Sequence, residues 1–97
     1  MDVVLLAHYV VRDQVEFLEA FDAFGEQRTA AGVTDCALVV SDADPRRLVA
    51  VLKFGSRASA EAFASSPQRL AALERGGVMS RNDEIHEILR PFSRGVA

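Results

Sequence analysis

The stretch Val3–Asp13, VVLLAHYVVRD, decides the fold. It is too rich in β-branched residues for an ordinary surface helix and too short to cross a membrane, so it reads as a strand. Alternate residues of a strand point to opposite faces, and here both sets are apolar. Val3, Leu5, Ala7, Tyr9 and Val11 go one way, and Val4, Leu6, His8 and Val10 the other. Such a strand is wanted dry on both faces, and His8 in its middle is the polar exception.

Working outward, Asp13 opens a helix. The spacing in DQVE puts Asp13 at the N-cap and Glu16 at N3, a capping-box arrangement. Phe17, Leu18, Phe21, Phe24 and Arg28 then recur on one helical face, and Gly32 stands at the C′ position that favours glycine. Strands follow at about Cys36–Ser41 and Leu48–Phe54, joined into a hairpin by the turn chemistry of DADPRR. A second helix begins near Ser56 with Ala60, Phe63 and Ala64 inward. It restarts at Ser66 and Pro67 and runs through Leu70 and Leu73 to a stop at Gly76. A last, more polar strand spans Glu84–Arg90, with Ile85, Glu87 and Leu89 on one side and Pro91 after it, as suits a sheet edge. The order is β-α-β-β-α-β: a single α+β, ferredoxin-like domain over residues 1–97 with an antiparallel four-stranded sheet.

Two helices cover only one face of such a sheet. Leu48, Ala50, Leu52 and Phe54 oppose Val49, Val51 and Lys53, while Cys36, Leu38 and Val40 oppose Ala37, Val39 and Ser41, so the second face is apolar as well. Left bare, it would exceed the patch a soluble monomer usually exposes. The expectation is a homodimer with sheets packed face to face and helices outside, a dimeric α+β barrel.

Composition excludes several classes. The chain is 49% hydrophobic and 26% charged with net charge -3; Lys53 is its only lysine and its arginines are scattered, which argues against a nucleic-acid partner. Asp2 and His8 break the pattern of a secretory signal, and one cysteine, Cys36, forms no intrachain disulfide, so a cytoplasmic location away from membranes is expected. Cys36 itself, within CALVV, reads as a small buried hydrophobe with no positive charge nearby. No GxSxG elbow, GxGxxG fingerprint or P-loop is present.

The segments LAHYVVRDQVEFLEAFD, RTAAGV, DADP and ASSPQRLAALERGGV, with the closing strand, resemble the antibiotic-biosynthesis-monooxygenase-like proteins of the dimeric α+β barrel superfamily. The likeness spans about residues 3 to 92. It implies a dimer and a pocket between each sheet and its own helices, walled here by Phe17, Phe21, Phe24 and Phe63 and suited to a hydrophobic small molecule. It implies no cofactor and a monooxygenase or cyclase type of reaction on a polyketide-like or phenolic substrate. Oxygenase and haem-degrading branches look to a pocket asparagine and tryptophan. This chain has no tryptophan, and its only asparagine, Asn82, precedes the expected last strand.

His8 is the leading candidate for general base, since imidazole titrates near neutrality. The alternative is a core or dimer-interface histidine satisfied by a neighbour. His86 is the second catalytic candidate, because the last strand runs antiparallel to the first and brings Glu84, His86 or Ile88 opposite His8. Two histidines with Glu84 or Glu87 suggest a metal, but no HxxxH or HxH spacing exists and no metal is expected. If His8 lines the pocket, Tyr9 belongs to the dimer face. Arg28 either snorkels from the core edge or orients an anionic oxygen. The expected function is therefore a cofactor-independent enzyme in which His8 removes a proton, leading to ring closure or reaction with oxygen. The competing expectation is a non-catalytic dimeric binding or stress-related protein, and haem handling stands third.

Overall fold

Val3–Val11 forms β1, and the rest of the fold is assembled on it in a computed structural model that describes residues 1–93. Residues 94–97, the end of the domain expected over 1–97, lie outside the described residues. The elements in order are β1, α1 (Gln14–Ala23), α2 (Gly25–Ala30), β2 (Val33–Val40), β3 (Arg47–Phe54), α3 (Arg57–Ala64), α4 (Pro67–Arg75) and β4 (Val78–Glu87). The sheet has the order β2-β3-β1-β4 with every neighbour antiparallel, the ferredoxin-like arrangement.

The helix starts follow from their caps. Asp13 accepts a hydrogen bond from the Glu16 backbone at 2.8 Å, Ser56 caps α3 through Ser59, and Ser66 caps α4 with Pro67 at its first position. Only half of the expected capping box forms, since Glu16 pairs with Arg12 at 2.7 Å. The first helical stretch breaks at Phe24, giving two helices where one was expected. Gly32 (φ 102°) and Gly77 (φ 74°) turn the chain out of α2 and α4 in the left-handed region.

Two strands extend differently from expectation. β2 begins at Val33 rather than Cys36, and β4 begins at Val78 rather than Glu84 and ends at Glu87. The polar run Ser80–Asn82 hides the early part of β4 from a hydrophobic pattern. An edge strand needs only its backbone to pair, and β4 pairs along the full length of β1, with a register shift at Val10/Val11.

The core lies on one face. Val3, Leu5, Ala7, Tyr9 and Val11 of β1 and Leu48, Ala50, Leu52 and Phe54 of β3 are buried against Phe17, Phe24, Ala60, Phe63 and Ala72 from the helices. A side chain such as Phe17, 1% exposed, contributes about 1.5–3 kcal/mol by leaving water. The opposite face carries Val4, Leu6, His8 and Val10, Val49 and Val51, and Ala37 and Val39, and among the described residues no helix covers it. Among the described residues no helix is long and apolar enough to cross a membrane.

Candidate functional site

Because Tyr9 shares strand parity with Leu5 and Ala7, folding buries its hydroxyl among apolar neighbours. A buried tyrosine hydroxyl needs a partner, and Arg69 of α4 supplies it: Nη2 donates to Tyr9 Oη at 2.9 Å. Arg69 is itself 1% exposed, the one buried charged residue among those described. Its Nη1 donates to the Ala64 carbonyl at 2.9 Å and to Asp83 Oδ2 at 2.8 Å, and Nη2 donates to Asp83 Oδ1 at 2.8 Å. This two-pronged grip on a β4 carboxylate is the geometry for which a guanidinium is suited. Arg81 adds a further donor to Asp83 at 2.7 Å.

The network fixes charge states. Burial pushes the Tyr9 phenol above its ordinary range, against the opposing pull of Arg69, so it stays protonated. Burial works to raise the Asp83 carboxyl, but the hydrogen bonds and charge of Arg69, with Arg81 adding to them, hold it below the usual carboxylate range. Desolvation works against the Arg69 charge, but Asp83 and Tyr9 outweigh it and the guanidinium stays charged. One polar atom is left over: Arg69 Nε is buried with no hydrogen-bond partner among the described residues. An orphan donor of this kind costs about 1–3 kcal/mol.

Tyr9 and Arg69 line a small cavity of about 30 Å³ between the sheet and the helices, whose other walls include Phe17, Phe21, Phe24 and Phe63. All four phenylalanines expected to wall a pocket meet here. Their rings interlock with their neighbours: Tyr9 lies 5.4 Å from Phe17, Phe17 5.7 Å from Phe21, and Phe24 6.4 Å from Phe63. Arg28 lines the same cavity, stacked 3.8 Å over the Phe21 ring and donating to the Phe21 carbonyl at 2.6 Å. The space holds a water or two rather than an aromatic guest. Ala20, Phe21, Arg28 and Leu73 are its half-buried walls.

His8 does not line this cavity. It lies on the open face with its side chain about half exposed, and its Nε2 is 2.9 Å from Glu84 Oε1. The conditional placement of Tyr9 on that face is accordingly reversed. His86 shares the open face but sits opposite Val4, and Asn82 is the residue opposite His8. Its Nε2 is 3.9 Å from the same Glu84 oxygen, so Glu84 lies between the two imidazoles and they make no direct pair. Among the described residues no group of three or more metal-ligating side chains is assembled. Cys36 is exposed rather than buried, and Arg28 approaches it. Burial of its surroundings nonetheless raises the thiol, with Arg28 opposing. Lys53 lies within a strand, 3.4 Å from Asp2 and 3.7 Å from Asp35.

Sequence reasoning missed Arg69 and Asp83: it marks the segment after Ser66 only by its cap and by Leu70 and Leu73, and it leaves Asp83 before the expected last strand. The signal that was available is Tyr9, a polar hydroxyl on the strand parity shared with Leu5 and Ala7.

No protein-family model matches the chain, and no curated protein matches it in sequence. Solved structures do match in shape. SnoaB, a cofactor-independent oxygenase from Streptomyces nogalater, superposes with TM-score 0.77 at 11% identity, over 93% of this chain and 95% of that one. A protein from Nitrosomonas europaea, provisionally described as an antibiotic biosynthesis monooxygenase, gives 0.75 at 20% identity over 95% and 94%. A dimeric protein of unknown function and ferredoxin-like fold from Bacteroides fragilis gives 0.66 at 15% identity over 90% and 96%. Strand order, helix placement and these superpositions agree: the chain has the antibiotic-biosynthesis-monooxygenase-like fold, a ferredoxin-like α+β domain.

Proposed function

We propose that the protein is a small cofactor-independent monooxygenase acting on a phenolic, polyketide-like molecule taken up between the sheet and the helices. The observation that carries this reading is the buried Tyr9–Arg69–Asp83 network at the wall of a phenylalanine-lined cavity. The likeness of the fold to a cofactor-independent oxygenase supports it. The guest displaces Phe21 and Leu73 on entry, and the remaining rings desolvate it.

The chemistry needs a substrate that supplies its own electrons. A methylene flanked by aryl or carbonyl groups loses a proton to solvent, and the resulting carbanion–enolate passes one electron to dioxygen. The two radicals combine into a peroxide, whose O–O bond then breaks. One oxygen stays as a carbonyl and the other leaves as water, so that CH2 plus O2 becomes C=O plus H2O with no outside reductant. The positive Arg69 lowers the cost of the anion. In this reading His8 takes no part in the reaction, because it lies on the other side of the sheet.

The open face fits a second copy. Val4, Leu6, Val10, Val39, Val49 and Val51 form an apolar surface that a two-fold, self-complementary contact would cover, enclosing His8 and Glu84 in the interface. The solved relative described as dimeric supports this assembly.

A hydroxylated anthrone, whose flanked methylene is acidic, tests the enzyme reading. Dioxygen consumption matched mole for mole by a new carbonyl is the expected result, and binding without oxygen uptake would overturn it. That outcome favours the second reading, a non-catalytic dimer that sequesters such molecules. One observation already points its way: Tyr9, Arg28 and Arg69 are the only titratable groups lining the cavity among the described residues, and none is a ready base at neutral pH.

A further inference from the structure

On the open face, β4 sets His86, Glu84 and Asn82 opposite Val4, Leu6 and His8 of β1. His8 Nε2 lies 2.9 Å and His86 Nε2 3.9 Å from the same Glu84 oxygen, and all three side chains are about half exposed. A carboxylate only accepts, so His8 Nε2 carries the hydrogen of that contact, and Nδ1 is the atom that can take another proton. The other charges of this face already have partners. Lys53 of β3 holds Asp2 at 3.4 Å and Asp35 of β2 at 3.7 Å, and Arg47 of β3 holds Asp44 at 3.7 Å. Among the described residues no helix packs on this side. Within one chain, the two imidazoles are therefore the only groups in reach that can offset the Glu84 charge.

We infer that pairing of two copies on this face is coupled to proton uptake, each chain binding a proton at the His8–Glu84–His86 cluster as the interface closes. In the single chain the Glu84 carboxylate is hydrated and needs no counter-charge. Beneath a second copy it loses that water, and a buried anion without a partner is costly. A proton on an imidazole already touching it cancels the charge in place. Imidazole ordinarily loses its proton near about pH 6.5, so above neutrality most free chains lack it and must acquire it to associate. Two chains together then take up about two protons, so the dimer weakens as pH rises above the free imidazole value and gains little below it. The inference rests on the second copy proposed for the open face, and adds the condition that governs its binding.

Sedimentation equilibrium of the full chain, at one ionic strength and from about pH 6 to about pH 8.5, reads the dimer dissociation constant across the imidazole range. Dimers at least about tenfold weaker at about pH 8 than at about pH 6.5 are expected, with a slope no steeper than about a hundredfold per pH unit. Calorimetric dilution in phosphate and in Tris, whose ionisation heats differ, counts the protons released on dissociation. Glu84→Gln keeps the shape and removes the charge, so its dimer should be indifferent to pH and tighter than the parent's at the alkaline end. His8→Gln should lose most of the proton release, and circular dichroism reports whether each variant folds. A parent dimer whose constant stays within about threefold over the range, or tightens as pH rises, would overturn the inference while leaving the second copy in place. So would a folded Glu84→Gln dimer that keeps the parent's pH slope. A parent that stays monomeric at every pH would overturn the second-copy reading itself, and this inference with it.

Discussion

His8 and Tyr9 are adjacent in the chain and lie on opposite faces of β1. The Tyr9 ring is 5.4 Å from Phe17 under the helices, while His8 Nε2 meets Glu84 at 2.9 Å on the uncovered side. That single alternation divides the polar groups of the strand between two jobs. The hydroxyl belongs to the cavity and the imidazole to the open face.

His8→Ala tests the division directly. Dioxygen uptake with the anthrone should stay within about threefold of the parent, because the imidazole acts on the far side of the sheet. A loss beyond about a hundredfold would return His8 to the role of base and remove the cavity as the reaction site.

Tyr9→Phe removes one hydroxyl and leaves Arg69 Nη2 with one donor unpaired in a buried position. A loss of about 1–3 kcal/mol is expected, read from the midpoint of urea unfolding at constant slope. A change within a few tenths would mean that water replaces the hydroxyl without cost.

Asp83 sets an acid limit. Its carboxyl is held below the usual range in the folded protein, so the folded state binds fewer protons than the unfolded chain near pH 4. The stabilisation is fully present above the unfolded value of about 4 and is lost as pH falls through the lower folded value. Asp83→Asn should therefore be less stable by about 2–4 kcal/mol at neutral pH, with the gap to the parent closing in acid. A gap independent of pH between 6 and 2 would show that the ion pair is not its source. Tyr9 works at the other end: a phenol raised by burial contributes stability below about pH 10, which is lost as pH rises through its folded value.

Leu6→Glu places a carboxylate on the open face opposite Glu84 in the β1–β4 ladder. The side chain is only half-buried in the single chain, so folding should survive, with circular dichroism unchanged. Sedimentation should report a dimer for the parent at micromolar concentration and a monomer for the variant, since like charges in a closed interface cost several kcal/mol. A parent protein that sediments as a monomer would leave the open face without its proposed cover.

Much of the architecture was legible because it follows from local rules. The doubly apolar pattern of Val3–Val11, the caps at Asp13, Ser56 and Ser66, and Gly32 and Gly76 each act within a few residues of themselves. The early part of β4 was not legible, because Ser80, Arg81 and Asn82 carry no apolar signal and are held by backbone pairing to β1. The site divided in the same way. Helix periodicity marks the phenylalanine stripe and the family resemblance implies that it walls a pocket, whereas Arg69 and Asp83 are brought together from α4 and β4 by packing alone.

What the amino-acid order determined by itself is four strands with helical stretches between them, their sequence along the chain, and the fact that both faces of the central strand are apolar. Which face the helices take was left to the tertiary structure, because a strand with grease on both sides has no local preference between them. That choice buried Tyr9 and left His8 outside. It also closed a guanidinium, a phenol and a carboxylate, distant in the chain, into one network, since a buried hydroxyl and a buried charge are tolerated only when each finds the other.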